Sequence, residues 1–469
     1  MGTGNYGKEG TVMVLARILA LIIFVGMFGV LVVGKIERHY VTLVSGGLVL
    51  ALVFGLCLHS GSTIWKALNL GSIVEPSFWF GEANEVESFG ISWSTILFIF
   101  GVWVMVEALS RSGFFQWICL ALAKRVHYKL VPLFFVFMII SAFLSMFIGS
   151  ITVILFLAAV TVELARLLKF DPVPMILAEV FCANLGGAAT MAGDPPNIII
   201  GTAIGLSFFD FFMNTGVIVL LSLLLVMLYF YLCFRKEFHK SEENRPEDIE
   251  YPDPNEAIVT MSSFVVSSII FVVVVILLMT HKMTGLTITS VGLIAAALSL
   301  IGVACTSGPK ESLDILKKID YPTLSFFLGL FLVVAGLQAT GCLELVAKGI
   351  QDISGGNPYL VVAIIIWVSA LASAFVDNIP FAATMVPVIQ SLAAPGIPVE
   401  MLAYTLSIGC DIGGNATPIG ASANVVGTSI SAKEGHPITW GKYCKYNFPA
   451  TFLVVAFSMV MLYVKFLWT

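Results

Sequence analysis

GGAATMAGDPPNIIIG, residues 186–201, places one aspartate, two prolines and four glycines between apolar segments of membrane grade. Proline removes a backbone donor and clashes with the preceding turn, so a helix reaching this stretch must break. Broken backbone survives at membrane depth only where protein buries it or it lines a watered cavity. Residues 413–427, GGNATPIGASANVVG, repeat the same punctuation 227 positions later. The fold is therefore read outward from two matched breaks.

The repeat extends well beyond them. At an offset of 228, Ile91, Thr95, Phe98, Gly101, Val106, Leu109 and Gly113 fall on Ile319, Thr323, Phe326, Gly329, Val334, Leu337 and Gly341. Ser141, Ala142, Ser145, Phe147 and Ile151 fall on Ser369, Ala370, Ser373, Phe375 and Ile379. Shared Leu and Val arise by chance in membrane sequence, but glycines and polar residues in this order do not. The chain is a duplication, with a first copy over 1–234, a hydrophilic linker over 235–257 and a second copy over 258–469.

Composition sets the solvent. Of 469 residues, 58% are hydrophobic and 11% charged, against roughly 25% charged in a soluble domain, and the mean hydropathy is +0.99. This is a polytopic all-α membrane protein in a lipid bilayer. The first apolar run, Val12 to Gly34, is longer than the roughly 7–15 residues of a signal-peptide core and reads as a retained span. No basic run with interleaved aromatics suggests nucleic acid. No Walker, H-E-x-x-H or G-x-S-x-G motif points to an ATP-driven pump or an intramembrane protease, so no enzyme activity is expected. The eight cysteines never form C-x-x-C and read as small core residues. The histidines fall near segment ends or in loops.

A helix needs about 20 residues to cross the hydrocarbon. Unbroken candidates are 12–34, 41–58, 93–110, 216–234, 262–280, 286–305, 323–341 and 447–467. The remaining apolar segments, 130–148, 153–168, 173–186, 196–205, 358–376, 381–394, 398–412 and 418–430, are mostly short and separated by polar or Gly/Pro breaks. Each copy then reads as two plain spans, a third with a trailing amphipathic piece, a re-entrant hairpin, a broken helix and a final span. Five crossings per copy invert the second copy against the first. Of the 24 Lys and Arg, 18 fall on the linker side, and only Lys8, Arg17, Lys66, Lys282, Lys348 and Lys465 fall opposite. The positive-inside rule makes the linker cytoplasmic and both termini external in a cell (inner) membrane.

Inverted repeats with discontinuous helices describe a secondary transporter, whose site forms near the midplane between repeats. The hairpin tips are FIGSIT (147–152) and FVDNIP (375–380). The candidate ligands of a small ion or oxyacid are Gly149, Ser150, Thr152, Asn184, Thr190, Asp194, Asn197, Asp377, Asn378, Asp411, Asn415, Thr417 and Asn424. Freed carbonyls near Gly186, Gly187, Gly413 and Gly414 can add to them. Asp377, Asn378 and Asp411 form the candidate Na+ or proton site. A buried carboxylate is costly unless paired or protonated, and no Lys or Arg lies nearby in sequence. Asp194 and Asp377 are also good N-caps, so capping stands as the alternative. Asp411 takes the position of Asn184 in the other copy, an asymmetric charge in a symmetric frame. Glu107 and Glu163 are expected to pair with Arg111 and Arg166. Glu179, in the half-helix leading into the first break, is a proton-relay candidate.

GGAATMAGDPPNIIIGTAIGLSFFDF, FVDNIPFAATMVPV, and GCDIGGNATPIGASANVVG followed by ITWGKY resemble the ArsB/NhaD ion transporter group. That group holds arsenite permeases, NhaD-type sodium/proton antiporters and the melanosomal P protein. The layout is also similar to the divalent anion/sodium symporters, which implies a homodimer with an elevator-like moving domain. GCD at 409–411 is similar to the arsenite-permease pattern, and NATPIGASAN looks like the P-protein branch. Relatives usually carry acidic or amide pairs at the first tip, where this chain has Gly149-Ser150, which leaves the second-half site as the stronger one. The resemblance implies efflux of a small inorganic anion or weak, arsenite-like oxyacid coupled to H+ or Na+, with NhaD-type Na+/H+ antiport as the alternative. No cofactor beyond the coupling ion is expected.

Overall fold

Apolar runs in lipid fold as helices because a helix satisfies its own backbone polar groups. The computed structural model describes residues 4–81, 89–243 and 251–468 and is helical almost throughout. Ten helices among the described residues are long and apolar enough to cross a bilayer. They form two bodies.

The first body, a scaffold, comprises Gly4–Val33, Arg38–Leu48 continued by the π-helical Val49–Cys57, Trp93–Arg111, Met261–Thr284, Ile288–Ser307 and Tyr321–Ala339. Trp93–Arg111 packs along Ile288–Ser307, and Tyr321–Ala339 packs along Arg38–Leu48. Gly101 meets Gly292 in the first pair and Gly329 meets Gly46 in the second. Gly101 and Gly329 are repeat equivalents, so one contact is made twice.

The second body is the core. Its first hairpin runs up Leu130–Ile148 and down Ser150–Leu168, reversing at Gly149 with φ +80°, a conformation that favours glycine. Both ends lie on one side, since Tyr128, Leu130, Leu168 and Phe170 line one small cavity. The second hairpin, Pro358–Ser373 and Asn378–Leu392, is rooted on the other side. There Tyr463 donates to Tyr359 O at 2.7 Å and Gln390 to Ala203 O at 3.2 Å. The broken helices are Val173–Gly187 with Pro195–Ile204, and Val399–Gly413 with Ser422–Lys433. Val217–Glu243 and Trp440–Phe466 pack against each other and close this body.

Polar contacts gather at the two ends. On the linker side Arg111 donates to Glu107 at 2.9 Å, as expected, and to Asp314 O at 3.0 Å, while Tyr128 donates to Pro252 O at 3.0 Å. On the far side Lys282 meets Asp210 at 2.6 Å and Lys465 donates to Met213 O at 2.7 Å. Arg166 pairs with Glu434 and not with Glu163: the turn after the second broken helix brings in a carboxylate from the other copy. His281 ends its helix as expected but is buried. Cys57, Cys119, Cys182, Cys342 and Cys410 are buried, whereas Cys233 and Cys305 are exposed on membrane-grade helices.

Two boundaries shift and one set of short helices is added. The helix expected to stop at 234 runs to Glu243, so the linker begins as helix; residues 244–250 of that linker lie outside the described residues. The last helix starts at Trp440 and carries Pro449 inside it. Between the second and third spans, short helices Gly61–Leu68, Leu70–Val74 and Pro76–Trp79 cover the far side. Gly81 donates to Gly285 O at 2.9 Å and Ser290 to Trp79 O at 2.7 Å, tying this cover to the second copy.

Candidate functional site

Each break is held by the same three bonds. Asn197 donates to Gly187 O at 2.9 Å and to Thr190 O at 3.2 Å. Asn424 donates to Gly414 O and to Thr417 O, both at 2.8 Å. Thr190 bonds Met146 O and Thr417 bonds Ala374 O, pinning each break to the end of a hairpin's first arm. The arms come this close because Gly186 and Gly413 face Ala142 and Ala370: a Cβ on Gly413 would sit 2.3 Å from the Ala370 Cα. These asparagines and threonines supply the donors that proline and irregular backbone leave wanting.

The copies are joined by amides. Asn184 donates to Asn415 Oδ1 and Asn424 Oδ1, each at 2.8 Å, and Asn415 donates to Phe181 O at 3.3 Å. Ser407 donates to Asn197 Oδ1 at 2.5 Å. Six expected ligands, Asn184, Thr190, Asn197, Asn415, Thr417 and Asn424, thus bond into the frame, while the Oδ1 of Asn184 is buried without a hydrogen-bond partner. Two of the expected carbonyls, at Gly187 and Gly414, already accept from it.

Two carboxylates remain. Asp194 is 6% exposed and Asp411 is 1% exposed. Asn378, at the second hairpin tip, donates from one nitrogen to Asp194 Oδ2 at 3.1 Å and to Asp411 Oδ1 at 3.4 Å. Ser150, at the first tip, donates to Asp194 Oδ1 at 3.1 Å. Asp411 Oδ2 is buried without a hydrogen-bond partner. Asp194 precedes Pro195–Ile204 but makes no side-chain cap bond, so the capping alternative does not describe it. Two tips and two broken helices, one of each from each copy, converge here. Among the described residues no three His, Cys, Asp or Glu side chains group as metal ligands. A cation at this point would meet two carboxylates with an amide and a hydroxyl.

Asp377 differs from the expectation. Its Oδ1 caps the following helix by accepting from Ile379 N at 3.1 Å, and its Oδ2 pairs with Arg38, so it neither lacks a cationic partner nor joins the buried pair. Asp194, from the first copy, stands where Asp377 was expected. The tip turn explains the swap: Asp377 is the cap itself, which leaves Asn378 to point inward. Thr152 sits half-buried in the first turn after Gly149, and no hydrogen bond among the described residues joins it to the network. The Glu179 side chain bonds to the second arm of the first hairpin. It is 1% exposed, accepts from Thr161 at 2.5 Å, and its Oε2 has no partner.

Arg38 and Ser407 were missed. Arg38 entered the sequence reading only as one of the linker-side charges, and its partner lies 339 positions away. No local pattern marks such a contact. Ser407 lies two residues before GCD on the same half-helix, and the hydroxyl was a signal left unread.

The chain matches the family model of the citrate transporters (CitMHS) over residues 49–409. It is similar to an uncharacterized transporter of Mycobacterium tuberculosis, 32% identical over 383 residues that make up 80% of this chain and 87% of that protein. A 46 kDa membrane protein of Mycobacterium leprae is 31% identical over 382 residues, covering 81% and 87%. The P protein of Mus musculus, which the NATPIGASAN stretch resembles, is 25% identical over 447 residues, covering 79% of this chain and 54% of that protein. In fold the chain is similar to the Alcanivorax borkumensis YdaH transporter, with a TM-score of 0.52 at 14% identity over 79% of this chain and 85% of that one.

Proposed function

The chain belongs to the citrate transporter family and is a multi-pass membrane transporter, and from that premise we propose that it moves a small anion or weak oxyacid coupled to H+ or Na+ bound between Asp194 and Asp411. The observation that carries this reading is one amide nitrogen serving two buried carboxylates while Asp411 Oδ2 has no partner. Like charges this close and this deep repel strongly, and desolvation adds several kcal/mol per ion. A proton or a sodium ion removes that cost. The pair alone offers an anion nothing, so a charged cargo is carried in company with the cation. The family's citrate gives the class of such a cargo, a small carboxylate, beside the oxyacid that GCD suggests.

Movement follows the elevator pattern. Core and scaffold are separate bodies, meeting where Pro195–Ile204 lies against Trp93–Arg111 and Asn378–Leu392 against Tyr321–Ala339. The bound pair travels with the core and is exposed to one side at a time. Na+/H+ antiport needs only the carboxylate pair and no anion, which keeps it as the second reading.

Thermal-shift titration of the purified protein with sodium, lithium, citrate and arsenite, from about pH 5.5 to about pH 8.5, separates the two. The expected result is stabilisation by a cation that grows as the carboxylates ionise, with an added shift from citrate or arsenite. Stabilisation by sodium alone, with no effect of either acid, would overturn acid transport in favour of antiport.

A further inference from the structure

Arg38 opens a scaffold helix on the linker side, and the hairpin rooted on the far side reaches it with its tip. There Asp377 holds the guanidinium. The side chain of Arg38 is 53% exposed and that of Asp377 14%, so the arginine keeps an uncovered face while its partner is largely covered. The neighbouring Asn378 bridges the buried carboxylates. One short tip therefore touches the scaffold with one residue and the cation site with the next. At the equivalent place in the first hairpin stands Gly149, which turns the chain without any carboxylate. A tip of this fold does not need the ion pair to form.

We propose that Arg38 recognises the anionic cargo, and that Asp377 occupies its guanidinium between cargoes and is displaced by the cargo's carboxylate or oxyanion group. This rests on the reading that an anion is carried with a cation. A guanidinium is a planar fork that matches either carboxylate alike, so one ligand replaces the other with little net loss of bonding. Asp377 released from Arg38 still caps Ile379, so the tip keeps its turn. What it loses is its tie to the scaffold. The core is then free to move, only once an anion has arrived, and the anion passes from Arg38 to the cation that the core carries. A cation between Asp194 and Asp411 lowers the negative charge beside the incoming anion, which orders the events as cation first and anion second. An uncharged acid cannot compete for the guanidinium, so the gate selects ionised cargo.

The test uses full-length wild type, R38Q, R38K and D377N in proteoliposomes with Na+ and proton gradients. Citrate serves as the anionic probe and arsenous acid, uncharged near neutral pH, as the neutral one. R38Q should raise the KM for citrate by about tenfold or more, the loss of a charge-assisted bidentate bond. R38K should recover part of that loss, and D377N should lower the KM by removing the competitor. Cation-induced thermal shifts should remain as in wild type, which also reports folding; where R38Q does not fold, R38K against D377N gives the same contrast. The inference is overturned if R38Q leaves the citrate KM unchanged, or if R38Q and D377N move it in the same direction, as two halves of a structural tie would. Wild type that moves arsenite but not citrate overturns the inference and leaves the proposed function standing. Wild type that moves neither overturns both.

Discussion

At the scale of single residues the decisive group is an amide. Among the described residues Asn378 is the donor shared by Asp194 and Asp411. Removing it should take a donor from each of two buried carboxylates and leave Asp194 with Ser150, at a cost of about 2–3 kcal/mol. Asn378→Ala should therefore unfold at a lower temperature than wild type at neutral pH. The sign of the pH dependence follows from charge: protonating either carboxylate removes the repulsion, so the gap should narrow as pH falls, and saturating sodium should narrow it too. A deficit that is the same at all pH values would mean the amide only fills space. The sequence identified both carboxylates, because an aspartate in an apolar segment has few structural excuses. Asp377 was expected beside them and instead caps Ile379 and meets Arg38, because capping and ligation draw on the same residue types and only the tip's geometry separates them.

At the scale of elements, the breaks are stable because asparagine and threonine restore what proline and glycine remove. Asn197 and Asn424 make the same two bonds to backbone carbonyls in each copy. Asn424→Ala should orphan two carbonyls, remove one of the two acceptors of the Asn184 amide and cost about 2–4 kcal/mol, read as a fall in melting temperature with cation present. Gly413→Ala should be worse, since the new methyl would lie 2.3 Å from the Ala370 backbone and must push the hairpin off the broken helix; a variant of wild-type stability would show that this seam is not rigid. Both breaks and both tips were legible as punctuation. The division of labour inside them was not. A ligand and a brace are written with the same letters, and the difference lies in whether each atom's bonds are already taken.

The whole molecule is a duplicated unit folded back on itself, and that much could be read from offsets of 227 and 228. Paired glycine contacts, paired break bonds and hairpins rooted on opposite sides express the duplication in three dimensions. The far-side cover over 61–79 was not legible, because it belongs to one copy only and no repeat partner marks it. The Arg38–Asp377 contact was hidden for a related reason: it joins scaffold to core across 339 positions. The carboxylate pair is itself a product of the assembly, one member from each copy, and coupling is the property it is proposed to give. Gradient-driven flux by Asp411→Asn in proteoliposomes tests this most directly, with wild type alongside and citrate and arsenite as probes. The amide keeps the shape and removes the charge, so the variant should fold and bind lipid as wild type does while sodium or proton gradients no longer drive accumulation. Accumulation at the wild-type rate and with the wild-type gradient dependence would contradict the account.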